Sequence, residues 1–69
     1  MELISTNRES MGGVAYTVSY GDRQYVVRDS LGMYSWMGHS VTSKAVEKES
    51  DMLPVRTLIK LKDYIKENT

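Results

Sequence analysis

Cysteine is absent, and with it go disulfide frameworks, thiolate nucleophiles and Cys-containing zinc or iron–sulfur sites, the usual staples of so short a chain. Packing or self-association has to replace them. Net charge is absent too: nine basic residues balance nine acidic ones, so the chain as a whole favours neither a nucleic acid nor an anionic membrane surface. No apolar run approaches the ~18 residues of a membrane span. Residues Met1 to Thr6 lack the basic start and apolar stretch of a signal peptide. A soluble, cytoplasmic protein is therefore expected. At 69 residues the chain has room for one domain, which buries about 60% of its unfolded surface. Two domains or a roomy enclosed active site are out of reach. With 41% apolar and 26% charged residues the composition is that of a folded domain rather than a disordered one.

What is present is a run of β-forming residues. Between Val14 and Tyr20 the side chains alternate, with Val14, Tyr16, Val18 and Tyr20 on one side and Ala15, Thr17 and Ser19 on the other, the period of a half-buried strand. Gly21-Asp22 supplies a two-residue turn, and Arg23 to Arg28 resumes the β-rich composition. The register of that hairpin sets Val18 against Tyr25, Tyr16 against Val27 and Tyr20 against Arg23, all on consistent faces. Asp29 and Gly32 fit the first and fourth positions of a type I turn, and a third strand over 33–37 then pairs Arg28 with Met33, Val27 with Tyr34 and Tyr25 with Trp36.

Three strands need a lid, because without a packed face they are marginal in water. Val55, Leu58, Ile59, Leu61 and Ile65 recur at helical spacing between Pro54 and Asn68, with Arg56, Lys60, Lys66 and Glu67 on the outer side. Pro54 suits a first turn and Ser50 or Asp51 can cap it. Between meander and helix, Ser43 to Glu49 reads as a short helix, while Val41 and Thr42 also suit an edge strand. Residues 1–12 read as a flexible arm in which Leu3 and Ile4 could add a strand, and 13–69 as the single domain. The expected fold is α+β: a three-stranded antiparallel meander packed on one face by a C-terminal amphipathic helix, with a short helical or irregular segment before it.

Candidate chemistry is sparse. His39 is the one histidine, with Asp29 or Asp22 as conceivable partners, but it reads first as a polar loop residue. A lone histidine and scattered carboxylates make a weak metal site at best, and Gly12-Gly13 and Gly32 to Gly38 lack the ending of a phosphate loop. No cofactor, metal or catalytic residue is assigned. Two binding readings follow. In the first, the reverse side of the meander carries Val26, Arg28, Met33, Ser35 and Met37, while Leu31, Met52, Leu53 and, on one reading of the helix, Leu61 stand outside the core. Flexible methionines with an arginine are the composition of interfaces. Val26, Arg28, Met33, Met37 and Met52 are thus the expected partner-binding residues of a small non-catalytic regulator or inhibitor. It would dock on a larger protein, as a homodimer or as a subunit. In the second, Tyr20, Arg23, Arg56, Lys60 and Lys66 contact DNA or RNA phosphates and bases.

Overall fold

A computed structural model describes residues 1–69. Five strands follow one another, β1 (Glu2–Arg8), β2 (Val14–Tyr20), β3 (Arg23–Ser30), β4 (Met33–Trp36) and β5 (His39–Thr42), each antiparallel to the one before and neighbouring it in a single open sheet. A 3-10 turn at Glu47–Glu49 leads to the one α-helix, α1 (Leu53–Glu67), which packs on one face over β3, β4 and β5. The architecture is α+β with five strands rather than three. No helix is long and apolar enough to cross a membrane.

The β2–β3 hairpin has the expected register, with Val18 opposite Tyr25, Tyr16 opposite Val27 and Tyr20 opposite Arg23. The β3–β4 register differs by two residues. Ser30, not Arg28, faces Met33, Asp29 faces Tyr34, and Arg28 faces Ser35. The cause is the turn. Leu31 and Gly32 both take left-handed backbone, φ 53° and 80°, closing a two-residue loop in place of the longer type I turn. Asp29 still serves the turn, since its Oδ1 accepts the Gly32 N–H at 3.2 Å. A shift of two leaves every side chain on the face first assigned to it, because the strand period is two.

The two added strands lie at the edges. β1 pairs with β2 through Thr6 opposite Tyr16 and Leu3 opposite Val18, with a bulge between Leu3 and Ser5. The expected arm is thus in part an edge strand. β5 pairs with β4, Tyr34 opposite Val41 and Trp36 opposite His39, so His39 belongs to a strand rather than a loop. In the 43–49 segment the expected helix shrinks to the turn at Glu47–Glu49, and the strand alternative at Val41 and Thr42 holds as well.

The core lies between helix and sheet. Tyr16, Val18, Val27, Tyr34 and Val41 rise from the sheet to meet Leu58, Ile59, Leu61 and Ile65 of α1. Each such side chain contributes about 1.5–3 kcal/mol by leaving water. Leu61 is wholly buried, so it belongs to the core and not to the outer surface. Trp36 and Tyr25 are half-buried at the margin of this core and meet edge to face at 5.1 Å. One charged residue joins the inner side of α1. Lys62 is 2% exposed. Its ammonium donates to the Ala45 carbonyl at 2.6 Å and the Ser43 carbonyl at 3.4 Å, and it pairs with Asp63 at 2.8 Å. Three donors meet three acceptors, which is what makes the burial tolerable.

Candidate protein-docking face

Because α1 covers one side of the sheet, the other side faces solvent. Its side chains follow from the register as Glu2, Ser5, Asn7, Ala15, Thr17, Ser19, Gln24, Val26, Arg28, Ser30, Met33, Ser35, Ser40 and Thr42. Most are small or hydroxylated, so they form a low bed above which the few larger groups stand.

The exposed apolar groups among them lie on β3 and β4, with Arg28 and Ser35 between Val26 and Met33. Val26 is 49% exposed and Met33 41%. Met37, in the turn that follows β4, is 80% exposed, and extending the β3–β4 pairing by two residues brings it level with Val26. Met37 holds left-handed backbone at φ 47°, a region that Asn or Gly occupies with less strain. Arg28 lies between Val26 and Ser30 on the central strand, and its Nε donates to Glu9 Oε1 at 2.8 Å. The patch therefore carries its own counter-ion. Four of the five residues expected to bind a partner, Val26, Arg28, Met33 and Met37, share this face or its rim. The fifth, Met52, stands apart from this face, exposed at the N-terminus of α1 and outside the core as expected.

The residues expected to contact nucleic acid are dispersed. Tyr20 is half-buried and packs against Tyr25 at 6.2 Å, continuing a row of rings through Tyr25 to Trp36 on the helix side of the sheet. Arg23 is exposed opposite Tyr20. The helix cations are engaged locally. Lys60 lies 3.6 Å from Glu47, Lys66 donates to the Ser43 carbonyl at 2.9 Å, and Lys62 is buried. Arg56 is half-buried, with its Nε enclosed and without a hydrogen-bond partner, so it does not stand on the outer side as the helical period suggested.

His39 makes no hydrogen bond or ion pair with Asp22, Asp29 or any other carboxylate. Asp29 lies two strands away and two residues further along, beside Tyr34. There burial first, and then the neighbouring carboxylate, push the Tyr34 hydroxyl above the usual tyrosine range. No cavity opens into the protein and no three metal-ligating side chains converge. Neither a protein-family model, a curated protein nor a solved structure matches the chain.

Proposed function

We propose that the chain is a protein-binding module, a small regulator or inhibitor that acts by occupying a larger protein through the outer face of β3 and β4. One observation carries this reading: the helix covers a single side of the sheet, and on the other Val26 and Met33 stand exposed to either side of Arg28 and Ser35, with Met37 exposed in the turn after β4, above a flat bed of small side chains. Apolar anchors ringed by polar, hydrogen-bonding groups are how interfaces are built. The partner best suited is a protein with an apolar contact and an acidic group at its rim, able to share Arg28 with Glu9. The action proposed is occupancy, not catalysis.

A photo-crosslinking residue at Ser40, exposed on this face, tests the reading in an extract of the source organism. The expected result is an adduct to one protein that forms again with that protein purified and disappears when Met33 and Met37 become serine. The same probe at Asp63, on the outside of α1, gives none. Equal adducts from Asp63, or adducts indifferent to the methionines, would defeat the proposal.

A second reading, nucleic-acid binding, retains Arg23 beside the Tyr20, Tyr25 and Trp36 row. It requires affinity that falls steeply with salt, because phosphate contacts release counterions. The engagement of Lys60, Lys62 and Lys66 within the fold weighs against it.

A further inference from the structure

We infer that, in the free protein, the outer face of the sheet closes on a second copy of this chain, stacking sheet on sheet with both helices outside. This rests on the docking reading and adds that the face is self-complementary and masked until a target displaces the copy.

Area is the first argument. The chain exposes 4856 Å², whereas a monomer of its 7.9 kDa mass exposes about 4,400 Å². Strands about 4.8 Å apart and residues spaced about 3.4 Å along them make the outer face roughly 500–600 Å². Two such faces bury about 1,000–1,200 Å², at the lower end of specific interfaces.

Position is the second. Val26 and Arg28 lie on β3, the central strand of five, and Met33 on its neighbour. A two-fold axis passing between Arg28 and Ser35 sets Val26 of each copy against Met33 of the other and leaves the edge strands at the rim, as an isologous contact requires. Charge is the third. The chain is neutral overall, and Arg28, the charge closest to that axis, is already paired with Glu9, so copies do not repel. The bed of Ala15, Thr17, Ser19, Ser35 and Ser40 lets two sheets approach closely. The alternative self-contact, edge to edge through β1, is opposed by the bulge between Leu3 and Ser5, a device that disrupts such pairing.

Sedimentation equilibrium from micromolar to millimolar protein decides the matter. The expected mass doubles from 7.9 kDa as concentration rises. The near-isosteric pair Val26→Thr with Met33→Gln stays monomeric with unchanged circular dichroism and thermal unfolding, and Met52→Ser dimerises as the parent does. A parent that remains monomeric at millimolar concentration overturns the inference, while the docking reading still stands or falls by the Ser40 crosslink. A dimer that ignores Val26→Thr with Met33→Gln but is lost in Ile4→Asp overturns it as well, because the contact then runs through β1.

Discussion

The buried ammonium of Lys62 donates to the main-chain carbonyl of Ala45 at 2.6 Å, tying α1 to the segment that follows β5. Ser43 is held by the same group and by Lys66, which donates to its carbonyl at 2.9 Å. Replacing Lys62 by Met keeps the apolar stem and leaves these carbonyls short of a donor. The expected loss is about 1–3 kcal/mol of unfolding free energy, read from urea denaturation. A neutral result would mean that the segment from Ser43 to Ala45 is held by other contacts.

Leu31 protrudes fully into solvent with left-handed backbone, φ 53°. An L-residue other than Asn, Asp or Gly in that region costs roughly 1 kcal/mol or more, and an exposed leucine recovers none of it by packing. Leu31→Asn should therefore stabilise the protein by about 1 kcal/mol, a rise of roughly 4–8 °C in Tm for a domain of this size. Destabilisation instead would show that Leu31 is held against something in solution.

Leu58 and Met33 lie on opposite sides of the sheet, and their truncations should differ accordingly. Leu58→Ala opens a cavity under the helix at a cost of about 2–5 kcal/mol, enough to unfold much of a small domain. Met33→Ser and Met37→Ser should each change stability by no more than about 0.5 kcal/mol. If the methionine variants unfold the chain, the inner and outer faces have been assigned backwards.

Alkaline stability depends on Tyr34. Its hydroxyl holds its proton more tightly in the folded state, through burial and then the nearby Asp29 charge. A raised folded-state pKa gives stability that is complete below the unfolded value and is lost as pH rises past it. The Tyr34 contribution should thus be constant up to about pH 10, the ordinary tyrosine range, and then decline. Tyr34→Phe should remove that part of the decline in denaturation midpoints measured on either side of pH 10. An identical alkaline profile in the variant would contradict the placement of Tyr34 beside Asp29.

Much of this arrangement could be read from residue types. Val14 to Tyr20 alternates cleanly, and Gly21-Asp22 leaves one register open, so the first hairpin was legible down to Val18 opposite Tyr25. The helical repeat of Leu58, Ile59, Leu61 and Ile65 identified α1 and its inner side. Lys62 follows Leu58 by four residues and precedes Ile65 by three, a spacing that put it on the buried side, but its charge disguised the position. Edge strands are harder to see. In β1 only Leu3 is half-buried, and the bulge breaks the alternation; in β5 Val41 alone is buried. The turns at Leu31-Gly32 and Met37-Gly38 were hidden because Leu and Met occupy positions where Asn or Gly ordinarily announces a two-residue loop. The outer patch survived the resulting misregister, since two residues of slip preserve the face of Val26, Arg28 and Met33. Met52 stands outside the core as its residue type suggests, but nothing in the sequence says which side of a sheet the start of a helix approaches.

Five methionines, Met1, Met11, Met33, Met37 and Met52, sample five places on the surface, so methyl-labelled methionine tests the docking face directly. Spectra recorded as protein concentration is raised, and again on adding the crosslinked partner, should show Met33 and Met37 shifting while Met1, Met11 and Met52 stay in place. Shifts at Met11 or Met52 with Met33 and Met37 silent would contradict the account.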